Sequence, residues 1–473
     1  MSEFLNRRGD LVWMPSNFHL TRRAFLKATC LVAGLGSAYL VGCGGPTGSE
    51  GTPTPTPVHV PQGLPESIVP LGLGVNVHFN GASNTNTEIE RLADLGFRFV
   101  RFDLLWNSVE QEKGHFDFSS YEGFIGALAA HHIRSLCILA YNNPLYDNTP
   151  SPPSTVVGPH TEEARQAFGR FAAALAAKFK GRGVVWEIWN EPDLERFWQP
   201  KPNPDDYLAL TKVAISAMRQ ADPNATIVAP ALTGLEPKYQ EAWNFLERCF
   251  ALGLLELVDA LSVHPYRLGP PESAPADFQR LHTLIAHYAP NGKANIPIIS
   301  SEWGYSLTWV SQEQQAAYFV RLFLINVLNN LPLSIWYDWR DDGSDPKQME
   351  QNFGIVTWNG QPKTVYLAAQ TLTRELAGFR LSNRVPLASD ADYALLFANG
   401  AASKQVLWTT DTSHSVTLPA HGSSVTVTSM TGEKRTFPTT DGKLVLELTG
   451  SPQYLTDESL SEEAIRSILI AGR

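Results

Sequence analysis

Two glutamates carry the chemistry that this sequence offers most plainly. Glu191 sits in Trp189-Asn190-Glu191-Pro192 and Glu302 in Ser301-Glu302-Trp303-Gly304, each at the end of a short apolar run. A protonated carboxyl group can hand its proton to a departing oxygen, and an ionised one can attack the carbon that the oxygen leaves. Such a pair is the equipment for breaking a glycosidic bond. Other apolar runs end in residues that hydrogen-bond or stack: Asn76 and His78, Arg101 and Asp103, Tyr141 and Asn142, His264-Pro265-Tyr266, and Trp336-Tyr337-Asp338-Trp339. No H-E-x-x-H or paired histidine-carboxylate spacing accompanies them, so His78 and His264 read as hydrogen-bonding walls and not as metal ligands. Two-carboxylate chemistry needs no cofactor.

Residues this far apart in the chain meet only if a scaffold brings their strand ends together. From residue 71 the sequence alternates runs rich in β-branched and aromatic residues with longer stretches of helical period. The runs cover 71–78, 98–102, 135–140, 184–189, 225–229, 259–264, 297–302 and 333–338. Eight β/α units predict a (β/α)8 TIM barrel, whose chemistry is built at the carboxyl ends of the strands. Between them, Ala164, Phe168, Phe171, Leu175 and Phe179 form one apolar stripe at helical spacing, and Tyr318, Leu322, Phe323, Val327 and Leu331 form another. A doubly wound open sheet is the competing fold, but Gly72 and Gly74 lack the third glycine of a dinucleotide loop. Past about residue 380 the pattern changes to short alternating segments, YALLFANG, QVLWTTD, HSVTLPA, SVTVTSM and KLVLELTG, which predict a small all-β, sandwich-like domain. Leu460, Ala464, Ile465, Ile468 and Leu469 then predict a closing helix. The chain divides into a signal segment (1–42), a tether (43–65), the barrel (66–378) and the β domain with its helix (379–473).

The two glutamate motifs resemble the catalytic signatures of the retaining glycoside hydrolases of the large (β/α)8 clan. The likeness runs over the whole barrel and is greatest to family 39, with family 5-like cellulases second. His264-x-Tyr266, Tyr337-Asp338-Trp339 and Asn352-Phe353-Gly354 belong to the same likeness. It implies that Glu191 is the general acid and base and Glu302 the nucleophile. Asn190 would bond the sugar 2-hydroxyl, Arg101 and Tyr266 would orient Glu302, and Trp336 would offer an apolar face to the sugar. Asn76, His78, Tyr141 and His264 would line the walls. Trp106, Phe197, Trp198 and Trp339 follow strand ends, which favours additional stacking subsites over core packing, the alternative for the same residues. An open groove built on Trp106, Trp198 and Trp339 implies cleavage inside a polymer, although a xylosidase-like exo enzyme or a transglycosylase would carry the same glutamates. A catalytically inactive, carbohydrate-binding surface lipoprotein is the alternative of another class.

The rest of the composition narrows the partners. The 473 residues are 43% hydrophobic and 18% charged, enough for a sizeable core and unlike a disordered chain. A net charge of −10 and an isoelectric point of about 5.7 supply no basic field for nucleic acid. The substrate expected is a polysaccharide or oligosaccharide. Cys30, Cys43, Cys137 and Cys249 contain no C-x-x-C pair and cannot form a disulfide framework. Thr21-Arg22-Arg23-Ala24-Phe25-Leu26-Lys27 resembles a twin-arginine export signal. The following Ala28 to Gly42 stretch is too short to span a bilayer. Leu40-Val41-Gly42-Cys43 resembles a lipobox, which implies cleavage before Cys43 and lipidation of its thiol. The Thr-Pro repeats after it read as an extended tether, so membrane contact is expected through the lipid anchor alone.

Overall fold

The computed structural model describes residues 63–456 apart from 79–84, 291 and 421. The signal segment, Cys43 and the helix expected after residue 456 lie outside them. Eight parallel strands close a barrel in chain order: β1 (Leu73–Asn76), β2 (Phe99–Leu105), β3 (Arg134–Ala140), β4 (Val185–Ile188), β5 (Thr226–Leu232), β6 (Ala260–Val263), β7 (Ile298–Trp303) and β8 (Ser334–Trp336). Closure is made by β8 on β1, with Leu73 opposite Ser334 and Val75 opposite Trp336. Each expected run supplies one of these strands.

Helices cover the outside, and their ends are written in the sequence. Thr161 caps helix Glu162–Lys178 by accepting from Ala164 N. Ser311 and Gln314 make a reciprocal capping box for helix Gln312–Leu328. The stripe Ala164, Phe168, Phe171 and Leu175 is buried against the barrel. Among the described residues no helix is long and apolar enough to cross a membrane.

Strand alternation determines what faces inward. Leu64, Phe99, Leu136, Val185, Val228, Ala260, Ile299, Leu333 and Ile335 form a packed layer at the amino-terminal floor. Leu64, which the sequence division placed in the tether, is therefore part of the barrel. Two residues farther along their strands, Phe99 gives way to Arg101 and Val185 to Glu187, so the next layer up is charged.

Among the described residues the carboxy-terminal part has eight strands: β9 (Arg380–Arg384), β10 (Asp392–Asn399), β11 (Ala402–Thr409), β12 (His414–Pro419), β13 (Ser424–Thr428), β14 (Lys434–Pro438), β15 (Lys443–Leu448) and β16 (Gln453–Thr456). Six form an antiparallel sheet in the order β14-β13-β16-β11-β10-β9, and β12 pairs with β15. The five anticipated segments are β10 to β13 and β15. Two of the three unanticipated strands, β9 and β14, are the polar edges of the large sheet, where charge is favoured over apolar alternation. The two sheets enclose Leu407, Leu418, Val425, Val427, Leu444, Leu446 and Leu448. On the other face of the large sheet Tyr393, Leu395, Phe397, Val406, Trp408 and Tyr454 join the core of the barrel.

Candidate active site

The centre of the mouth is one guanidinium. Arg101 leaves β2 with its side chain 1% exposed. Its Nε donates to Glu187 Oε2 at 2.7 Å, its Nη1 to Glu302 Oε2 at 2.7 Å and to Asn76 Oδ1 at 3.1 Å, and its Nη2 to Asn190 Oδ1 at 2.7 Å. Nη2 also lies 3.3 Å from His264 Nε2. A guanidinium can only donate, so Nε2 is the unprotonated ring nitrogen. The ring proton is then on Nδ1, which donates to Glu191 Oε1 at 2.9 Å. Tyr266 donates its hydroxyl to Glu302 Oε1 at 2.7 Å, so both oxygens of Glu302 are held.

Local backbone delivers the two glutamates in different ways. The chain turns sharply after β4: Trp189 and Glu191 have φ of 72° and 47°, and Ala231, whose carbonyl accepts from Glu191 N at 3.2 Å, has φ of 56°. Each such non-glycine residue costs about 1–2 kcal/mol, a strain held here by its neighbours. On β7 the pairing register to β8 shifts between Ser300 and Trp303, which breaks the alternation and turns Glu302 into the mouth. Gly304 follows because a Cβ there would lie 1.9 Å from the Tyr337 carbonyl oxygen.

Glu191, His264 and Glu302 each bring one ligand-type atom within 4.8 Å of the others, close enough to hold a metal ion. Hydrogen bonds already account for the grouping, and a guanidinium stands against Glu302 and His264. The charges nearby are strongly biased by burial. Burial opposes the charge of Arg101, yet the carboxylates of Glu187 and Glu302 outweigh it and hold the guanidinium above its ordinary value. Burial also raises Asp103, and it pushes Asp193, with help from the Glu191 charge, up to about 7. The phenols of Tyr141 and Tyr337 are raised by burial first and by the neighbouring carboxylates second.

The structure brings together Asn76, Arg101, Asn190, Glu191, His264, Tyr266 and Glu302. His78 stands at the exposed rim, its Nε2 accepting from Asn76 Nδ2 at 2.9 Å. Half-buried Tyr141 meets Trp189 edge-on at 5.4 Å and stacks on Phe197 at 5.9 Å. The expected tryptophan platforms are a correction. Trp336 is 2% exposed and packs outward on Phe319, 5.1 Å away, because alternation from inward Ile335 sends it to the helix layer. Tyr337 takes the inward place, edge-on to His78 at 5.7 Å. Trp198 is 0% exposed, lodged between Trp189 and Tyr207. Trp106 packs on Phe168 and Phe171, and Trp339 on Arg91 and Tyr366, so neither faces a sugar. Sequence reading missed Glu187, though a lone acid inside Val184-Val185-Trp186-Glu187-Ile188 was a visible signal, and it gave the place of Tyr337 to its neighbour Trp336.

Residues 69–343, more than half of the chain, match the family described as cellulase, glycosyl hydrolase family 5. A β-xylosidase of Geobacillus stearothermophilus is 24% identical over 211 residues, 40% of this chain and 40% of that protein, so the match spans two fifths of that relative's length. The family 39 glycoside hydrolase of the gut symbiont Bacteroides cellulosilyticus WH2 has a TM-score of 0.72 at 24% identity, over 82% of this chain and 81% of the other. The family 39 β-xylosidase of Caulobacter crescentus has a TM-score of 0.60 at 16% identity, over 83% and 97%. These two structural likenesses are of fold, and they agree with the resemblance to family 39.

Proposed function

Because the chain belongs to the cellulase family, glycosyl hydrolase family 5, and so to the retaining (β/α)8 glycosidases, we propose that it hydrolyses β-xyloside-like linkages by a two-glutamate double displacement. The observation that carries this reading is the spacing of the carboxylates. One carboxylate oxygen of Glu191 and one of Glu302 lie within 4.8 Å of each other, a close approach of the kind a retaining pair, separated by about 5–5.5 Å, makes. Glu302, oriented by Tyr266 and Arg101, attacks the anomeric carbon. The bond to the leaving oxygen breaks, and that oxygen takes the proton of Glu191. His264 donates to Oε1 of Glu191, so the transferred proton is assigned to Oε2. Water then attacks the glycosyl-enzyme, giving its proton to Glu191 and restoring Glu302. Asn190, fixed by Arg101, is positioned for the sugar 2-hydroxyl, and Tyr337 with His78 forms the wall assigned from sequence to Trp336.

Internal cleavage loses its premise once Trp106, Trp198 and Trp339 are buried, so release of sugars from a chain end is the mode this reading favours. A product time course on β-linked xylan and xylo-oligosaccharides tests it. Monosaccharide should appear first, and early intermediate-length oligomers would show internal cutting. Products longer than the substrate would show transglycosylation. Export by the twin-arginine route and anchoring at Cys43 complete the proposal, supported by the order and spacing of the two motifs. Cys43→Ser should move the protein from the membrane to the soluble exported fraction; unchanged membrane association would remove the anchor from the account.

A further inference from the structure

We propose that Glu187 is a positioning residue that acts as the standing counter-charge of Arg101, and that it lets Glu302 surrender its own charge when the glycosyl-enzyme forms. The inference rests on the retaining reading above. Arg101 touches two carboxylates, Glu187 through Nε and Glu302 through Nη1, both at 2.7 Å. Its other hydrogen-bond partners, Asn76, Asn190 and the unprotonated Nε2 of His264, are neutral acceptors. Glu187 is 0% exposed, and its second oxygen, Oε1, has no hydrogen-bond partner among the described residues. A residue retained only to complete a hydrogen-bond network would not leave a buried carboxylate oxygen unmatched. Its contribution is charge delivered to one atom of Arg101.

The consequence lies in how charge moves during the reaction. In glycosylation a lone pair of Glu302 forms the bond to the anomeric carbon, the carbon–oxygen bond breaks towards the leaving group, and Glu191 loses its proton. Negative charge therefore passes from Glu302, in contact with Arg101, to Glu191, which lies on the far side of His264. Without Glu187 the guanidinium would be buried beside an uncharged ester, with only Asp103, a carboxyl that burial itself biases towards the neutral form, as a further acid nearby, a state strongly disfavoured in a dry site. The same unbalanced cation would favour the return of charge to Glu302 when water cleaves the ester. Glu187 thus eases the first step and restrains the second.

The two steps can be timed separately in the full chain with a 2-deoxy-2-fluoro β-xyloside carrying a dinitrophenolate leaving group. Inactivation reads glycosylation, and reactivation after removal of the reagent reads deglycosylation. Glu187→Gln should slow inactivation by about tenfold to a hundredfold, the size of one to two pKa units of lost charge balance, while reactivation becomes faster. Glu187→Asp, which keeps the charge, should hold both rates near native values, and it decides the matter alone should the Gln variant fail to fold. Equal slowing of both steps in Glu187→Gln, native rates in that variant, or slowed inactivation in Glu187→Asp would overturn the proposal. A native enzyme that forms no adduct on Glu302 would instead overturn the retaining reading, and this one with it.

Discussion

Glu302 is held at both oxygens, and the two bonds differ in what their loss should do. Tyr266 is neutral and donates one bond to Oε1, so Tyr266→Phe removes a charge-assisted contact worth about 1.5–3 kcal/mol without unbalancing the site. The expected result is a kcat/KM lower by roughly tenfold to a hundredfold, read with an aryl β-glycoside. Asp193 gives a prediction of another kind. Burial first, then the charge of Glu191, raise its carboxyl from 3.8 to about 7. The folded chain therefore binds this proton more tightly than the unfolded chain does. Its stabilising contribution is complete below about pH 4 and is lost as pH rises through about 7. Asp341, raised by burial to about 6, acts in the same sense. Asp193→Asn should flatten the fall of Tm between about pH 4 and about pH 7, and an unchanged slope would remove Asp193 as its cause.

At the scale of elements, one ion pair clips the β domain to the barrel. Glu272 accepts from Arg321 Nε and Nη2, both at 2.7 Å, and from Trp408 Nε1 of β11 at 2.7 Å, while Arg321 Nη1 reaches the Gly450 carbonyl at 3.2 Å. Both charged side chains are 6% exposed. Arg321→Met leaves Glu272 buried without its cation, which should cost about 3–5 kcal/mol in urea unfolding. The barrel was legible because eight strand runs recur between helical stretches, and the site because its polar residues fall at the run ends. The wall was misread because adjacent strand residues point to opposite faces: counted from inward Ile335, Tyr337 faces the mouth and Trp336 cannot. The same count from Val185 finds Glu187. What alternation could not give is Glu302, whose inward turn needs the register shift on β7, or the burial of Trp198, which depends on packing between Trp189 and Tyr207.

For the whole molecule the two ends of the barrel have separate tasks. Leu64 closes the floor, and Arg134 binds the Gly63 carbonyl there at 2.5 Å, so the described chain enters opposite the mouth. The β domain packs on the barrel through Tyr393, Phe397 and Trp408 and shares its core, which makes it a structural companion of the catalytic part. With an acidic chain, a neutral sugar is the partner that the charge pattern suits. The central claim is that Glu302 forms a covalent glycosyl-enzyme with help from Glu191. Its most direct test is the anomeric proton signal of the first product released from an aryl β-xyloside, followed by NMR before mutarotation. The account predicts the β-anomer first, with no product from Glu302→Ala; an α-anomer appearing first, or turnover that survives Glu302→Ala, would contradict it.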